Sequence, residues 1–161
     1  MAILAIIQAR MSSSRLPGKV LMDIEGIPMI GRQIERIRKA DLISEVIVAT
    51  SVHTSDDALT EYLESIDVNV QRGPLDDVLQ RFVEVLDRTQ AEDFVRLTAD
   101  CPLADPEVID EAIQMFLESK CDYVSNTLVR TYPRGLDVEV AKSKVLRDVA
   151  EKNFDQMSRE H

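Results

Sequence analysis

Residues 2–19 read AILAIIQARMSSSRLPGK, and this stretch decides the fold. Ala2 to Gln8 form a continuous apolar run, the pattern of a strand buried on both faces rather than the alternation of a half-exposed one. The run ends abruptly in a polar loop, Ala9 to Lys19, that gathers Arg10, Arg15 and Lys19 with Ser12, Ser13 and Ser14. Pro17-Gly18 is a strong turn signal, because Pro presets one turn dihedral and Gly accepts a positive φ at the next. Such a turn is expected to bring Lys19 back beside Arg10 and Arg15.

Outward from this stretch, strand-like and helix-like segments alternate. Ile30, Ile34 and Ile37 recur at helical spacing, and Glu45 to Ser51 reads as a second buried strand. Ala58, Leu59, Tyr62, Leu63 and Ile66 form the apolar stripe of a helix, followed by a short strand at Val68 to Gln71. A second stripe comprises Val78, Leu79, Phe82, Val83 and Leu86. Asp93 to Leu97 is strand-like and runs into a loop at Thr98 to Pro102. The next helix opens at Asp105-Pro106, a capping residue followed by Pro in the first turn. Beyond Cys121 the pattern weakens to β-like pieces, notably Leu136 to Ala141, and a closing helix from about Lys142. This alternation predicts an α/β fold, a mostly parallel sheet with helices on both faces. Loops after the strands then converge on one edge, where such sheets bind ligands. The polar loops beginning at Gln8, Thr50 and Thr98 are the ones expected to meet.

Composition bounds the function. The 161 residues suffice for one domain, residues 1–161, with a real core, and 45% of them are apolar. A formal net charge of −10 argues against general nucleic-acid binding, since a phosphate backbone needs a basic face. The longest apolar run is too short for a membrane span and lacks the flanks of a signal peptide. A cytoplasmic chain with reduced thiols is expected, because Cys101 and Cys121 fit no metal or redox spacing. His53 and His161 have no triad partners at recognisable spacing and read as surface residues.

An acidic chain that handles phosphates must concentrate its positive charge locally, and residues 9–19 do so. Backbone N–H groups and hydroxyls such as Ser13 would cradle phosphates while the cations neutralise them. The loop is not a P-loop, which needs Gly where Ser13 stands and Ser or Thr where Val20 stands. A solvated turn with scattered basic residues is the plainer reading of the same stretch. Asp100, just beyond a strand end in RLTADCPL, offers the hard oxygen that Mg²⁺ prefers; by itself an Asp before Cys-Pro is more often a turn residue. Arg130 and Arg134, in RTYPRGLDVE, could grip a sugar carboxylate through paired hydrogen bonds, though a hairpin or subunit contact explains them as well. Asp76 and Asp77 suit a helix N-terminus, and Asp56 and Asp57 also read as caps.

The run IIQARMSSSRLPGKVL resembles the N-terminal signature of the cytidylyltransferase family that makes CMP-activated sugar acids. Within that family the chain looks most like the spore coat polysaccharide biosynthesis protein F branch, and the resemblance covers most of its length. It implies a Rossmann-like, three-layer nucleotidyltransferase fold of the glycosyltransferase-A type. It implies that Arg10, Arg15 and Lys19 meet the triphosphate of CTP, with Ala9 near the base or ribose. It places the metal-binding aspartate at Asp100, holding Mg²⁺, and the base and ribose near Arg72, Asp77 and Arg81. It supports a sugar-binding role for Arg130, Tyr132, Arg134 and Asp137, with Asp137 a weaker candidate for the metal. A second metal carboxylate would fall in a later segment of the family, so a domain lacking the family's C-terminal portion is expected.

The reaction implied is transfer of CMP from CTP to a sugar, chiefly a sugar acid, with loss of pyrophosphate, in polysaccharide precursor synthesis. A homodimer is compatible with the family, and neither nucleic acid nor membrane is an expected partner. Two alternatives stand beside this reading. One is a nucleotide-binding or assembly domain without catalysis; the other is a sugar-phosphate nucleotidyltransferase that uses another triphosphate.

Overall fold

The first apolar run becomes the strand around which the sheet is built. The structure is a computed structural model that describes residues 3–13, 15–152 and 155–160. Ala2 of that run, the Ser14 hydroxyl and His161 lie outside the described residues. β1 (Ile3–Gln8) pairs in parallel with β4 (Ile43–Ser51) on one side and β6 (Asp93–Thr98) on the other. Beyond β4 lies β5 (Asn69–Gly73), also parallel. Beyond β6 come β8 (Glu139–Lys142) and β7 (Tyr123–Ser125), both joined by antiparallel ladders. The six-strand order is β5-β4-β1-β6-β8-β7, and a separate two-residue hairpin pairs β2 (Asp23–Ile24) with β3 (Ile27–Pro28).

With pleat period two, each central strand feeds both faces. Ile3, Ala5 and Ile7 join Val46, Val48, Val95 and Leu97 on one face, under α1 (Met29–Ile37), α2 (Asp57–Ser65) and α4 (Pro106–Ser119). Leu4, Ile6, Ile47 and Phe94 line the other face, under α3 (Val78–Thr89), with Leu146 of α5 (Ser143–Lys152) packed alongside. Both faces are dry, which is why the strands read as continuous apolar runs. Phe82 and Phe94 meet across the second face, with ring centroids 6.0 Å apart.

The connection from β1 through α1 moves the chain toward β4, whereas the connection from β5 through α3 carries it back past β1 to β6. Right-handed crossovers in opposite directions place α1 and α3 on opposite faces. They also leave a crevice where the direction reverses, between the C-terminal ends of β1 and β6.

Several boundaries differ from the sequence reading. The β-like segment Leu136 to Ala141 is strand only from Glu139, because Asn126 grips the preceding chain: its Nδ2 donates to Leu136 O (2.7 Å) and its Oδ1 accepts from Val138 N (2.9 Å). The short strand near Val68 runs instead over Asn69–Gly73, and β4 begins two residues earlier than Glu45. A five-residue helix, α6 (Gln156–Glu160), has no counterpart in the sequence reading; it lacks the apolar stripe by which helices are recognised.

Candidate active site

The loops leaving β1, β4 and β6 converge at the crevice, and a buried carboxylate holds two of them together. Asp56, at 0% exposure, accepts from the backbone N–H of Met11 (2.8 Å), from Thr50 Oγ1 (3.0 Å), from Ser51 N (3.1 Å) and from the Ser51 hydroxyl. Burial alone would raise its pKa; the hydrogen bonds from Ser51, Met11 and Thr50 more than offset this and hold it below the usual carboxylate range. Asp56 therefore does not cap α2 through its side chain. The short turn at residues 54–56 is capped by the His53 ring instead.

The Pro17-Gly18 turn forms as its residues require. Gly18 has φ of 72°, and its N–H donates to Met11 O at 2.8 Å, closing the loop on its own base. The three cations nevertheless address different partners. Lys19 Nζ donates to Asp100 Oδ2 at 2.9 Å, Arg10 Nη2 meets Glu160 Oε1 at 3.3 Å, and Arg15 is exposed. Ser13 Oγ accepts from Leu16 N at 3.5 Å, and Ala9 is buried at the mouth of the crevice.

Asp100 sits in the turn after β6, its Oδ1 accepting from Thr98 Oγ1 at 2.7 Å. Burial raises its pKa, but Lys19 and the Thr98 hydroxyl hold the carboxyl below its ordinary value, so it is an anion at neutral pH. The turn is propped from behind by Gln33 on α1, fully buried, whose Nε2 donates to Thr98 O (2.8 Å) and whose Oε1 accepts from Cys101 N (3.3 Å). Sequence reasoning passed over Gln33. The signal was an amide three residues after Ile30, on the apolar face of a helix, where a polar group must have a partner. The Cys101 thiol is pushed up by burial and by the charges of Asp100 and Asp137, partly offset by a hydrogen bond with Thr98; it is a packing group, not an activated nucleophile.

On the other side of the crevice, Asp77 caps α3 by accepting from Gln80 N (2.8 Å) and takes a second hydrogen bond from Arg159 Nε (2.8 Å). One turn further, Arg81 is 1% exposed, and its Nε and Nη1 have no hydrogen-bond partner in the described structure. Burial, reinforced by Arg10, weakens its hold on its proton, while Asp56, Asp77 and Asp76 oppose that shift. Its Nε and Nη1 are therefore buried donors that an acceptor oxygen could satisfy. Arg72 differs: its Nε donates to Ser51 O (2.8 Å) and its Nη2 to His53 O (3.0 Å) and Asp57 Oδ1 (2.7 Å), so these donors tie β5 to the end of β4.

The remaining sequence candidates lie past β7. Arg130 and Asp137 form a two-pronged ion pair (2.6 and 3.2 Å), and the Tyr132 hydroxyl donates to Glu111 on α4 at 2.6 Å. Arg134 is exposed in the turn closed by Leu136 N and Pro133 O. Asp137 immediately precedes Val138 and β8, and its charge reaches Cys101, so this segment adjoins the Asp100 turn. Among the described residues no three His, Cys, Asp or Glu side chains group as metal ligands, and no helix is long and apolar enough to cross a membrane.

A sheet that reverses direction at β1 and β6, with a basic loop after one strand and an acidic turn after the other, is the layout of a nucleotidyltransferase. The family pattern for cytidylyltransferases matches residues 4–160, and the chain belongs to that family. It is 35% identical to the spore coat polysaccharide biosynthesis protein SpsF of Bacillus subtilis over 152 residues, 92% of this chain and 62% of that protein. It is 40% identical to 3-deoxy-manno-octulosonate cytidylyltransferase of Geobacter sulfurreducens over 121 residues, 74% of this chain and 47% of that one. The chain thus spans under two thirds of the length of these relatives. Among solved structures, a cytidylyltransferase from Leptospira borgpetersenii superposes with a TM-score of 0.94 at 31% identity, covering 100% of this chain and 68% of that one. A CMP:2-keto-3-deoxy-manno-octonic acid synthetase complexed with CTP shares the fold, with a TM-score of 0.77 at 21% identity, over 99% of this chain and 82% of that one.

Proposed function

We propose that this chain carries the CTP site of an enzyme that transfers CMP to a sugar acid and releases pyrophosphate. The observation that carries the reading is the meeting of Lys19 and Asp100 at the switch point of the sheet. In this reading the cation serves phosphate oxygens and the carboxylate serves a hard metal ion. Asp100 suits Mg²⁺, which is satisfied by one or two protein carboxylates and completes its shell with phosphate oxygens and water. When bound there, the ion would withdraw charge from the α-phosphate.

In this reading Lys19, Arg10 and Arg15 neutralise the triphosphate and the departing pyrophosphate. The idle N–H groups of Arg81 supply donors from the α3 side, with Asp77 beside them and Ala9 lining the crevice. A sugar hydroxyl attacks the α-phosphorus in line, its proton passing to solvent or a phosphate oxygen, and the bond to the β-phosphate bridging oxygen breaks. Such a reaction depends on positioning and charge neutralisation more than on covalent chemistry. Asp137 adjoins the Asp100 turn, and Arg130, Tyr132, Arg134 and Asp137 are assigned to the acceptor. Because the Arg130 guanidinium is already paired with Asp137 and the Tyr132 hydroxyl already donates to Glu111, an acidic acceptor would exchange for those carboxylates. A polysaccharide precursor is the substrate class that the names of the relatives favour.

The test is thermal stability with CTP, UTP, GTP and ATP, each with and without Mg²⁺, since a ligand that binds only the native state raises the melting temperature. A CTP-selective shift enhanced by Mg²⁺ supports the proposal, and pyrophosphate release with a sugar acid completes it. Binding without release under any acceptor would make the chain a nucleotide-binding module. No shift with any nucleotide would overturn the reading.

A further inference from the structure

Arg10 leaves β1 in the basic loop, yet its partner comes from the far end of the chain. Its Nη2 meets Glu160 Oε1 at 3.3 Å, with about a third of each side chain exposed. The neighbouring residue on α6, Arg159, donates to Asp77 Oδ2 (2.8 Å) and to Ala150 O (2.8 Å). The short helix therefore bridges the start of the β1 loop, through Glu160, and the cap of α3, through Arg159. Arg10 lies close enough to Arg81 for the two positive charges to oppose each other, and Arg81 has idle buried N–H groups. At Arg81 the charges of Asp56, Asp77 and Asp76 oppose that repulsion. In the structure as it stands, the carboxylate that reaches Arg10 is that of Glu160.

We propose that Glu160 is a displaceable counter-anion of the nucleotide site. Its carboxylate occupies Arg10 until triphosphate oxygens replace it, so nucleotide entry releases the Glu160 end of α6. The inference rests on the nucleotide reading above. A long, single-pronged and part-exposed ion pair is the kind that a polyanion exchanges readily, because such a pair contributes little by itself. A triphosphate brings several charges to the same guanidinium and can reach Lys19 and Arg81 as well. Glu160 therefore sets affinity without touching the reacting atoms. It is a positioning residue.

The test is a double-mutant cycle on the whole chain, with inorganic tripolyphosphate and CTP titrated calorimetrically at low ionic strength and melting temperatures confirming that each variant folds. Glu160→Gln is expected to tighten both ligands about two- to fivefold, the range that loss of an exposed ion pair supplies. In an Arg10→Ala background the same change is expected to have no effect, a non-additivity that a merely structural role for α6 would not produce. Amide exchange over residues 156–160 is expected to rise when tripolyphosphate saturates the unsubstituted chain. If that chain binds tripolyphosphate and Glu160→Gln leaves affinity unchanged or weaker, the proposal is overturned while the nucleotide reading survives. If neither the unsubstituted chain nor Glu160→Gln binds either ligand, both fall together.

Discussion

Lys19 and Asp100 are 81 positions apart in sequence, and their charged groups stand 2.9 Å apart at the reversal point of the sheet. Neither is buried enough for the pair to be a large source of stability, since part-exposed ion pairs contribute roughly 0–1 kcal/mol. Lys19→Ala and Asp100→Ala should therefore fold with nearly unchanged melting temperatures. Each is expected to lower CTP-dependent pyrophosphate release by about 10²- to 10³-fold, the scale for removing one group aimed at developing charge. Single-turnover rates unchanged in both variants would refute the assignment.

Asp56 should matter more to folding than any surface carboxylate. Asp56→Asn places an amide N–H among donors and removes the charge to which Met11 N, Thr50 and Ser51 are directed. A loss of about 3 kcal/mol is expected, read by urea denaturation, along with weaker nucleotide binding as the β1 loop loosens. The pH dependence follows from the depressed pKa of Asp56. Its contribution is fully present above the unfolded-state value of about 3.9 and is lost as pH falls through the lower folded-state value. The stability gap between the unsubstituted chain and the variant should be constant from neutrality to about pH 5 and shrink below about pH 4. A gap that widened under acid would contradict the assigned hydrogen bonds.

Gln33→Leu keeps the size of a buried side chain but strands Thr98 O and Cys101 N, which Gln33 now satisfies. The cost expected is about 1–3 kcal/mol. With Asp100 on a looser turn, turnover should fall more than apparent CTP affinity does. Equal losses in both would point to a general softening of the domain instead.

Arg81 is predicted to trade stability against function. Arg81 holds Nε and Nη1 buried without hydrogen-bond partners, and removing unmet buried donors relieves their desolvation cost, so Arg81→Met should melt at the same temperature or higher. The same change removes two idle donor nitrogens, and CTP affinity should fall about tenfold or more, in line with hydrogen bonds to charged groups of about 1.5–3 kcal/mol. Unaltered affinity in a stabilised variant would remove Arg81 from the nucleotide site.

What the sequence determined by itself was local and periodic. A six-residue apolar run at 2–7 cannot sit at a half-exposed position, so the buried parallel sheet follows from hydrophobicity alone, as do the stripes of α1, α3 and α4. Pro17-Gly18 specified its turn, and Asp77 and Asp105 their caps, because those preferences act within a few residues. Only the tertiary structure decided the partners. Asp56 reads as a helix cap, but it turns inward because four donors from two other segments surround it. Arg72 reads as a nucleotide contact by resemblance, and only the fold shows that its Nε and Nη2 also tie β5 to the end of β4 and its turn. Gln33 was passed over because its partners lie 65 and 68 positions away. The three cations of the first loop look equivalent in sequence, yet one meets Asp100, one meets Glu160 and one faces solvent. Periodicity records which face of an element is dry; a hydrogen bond or ion pair between distant segments depends on how the sheet orders its strands, and strand order is settled by packing across the whole domain.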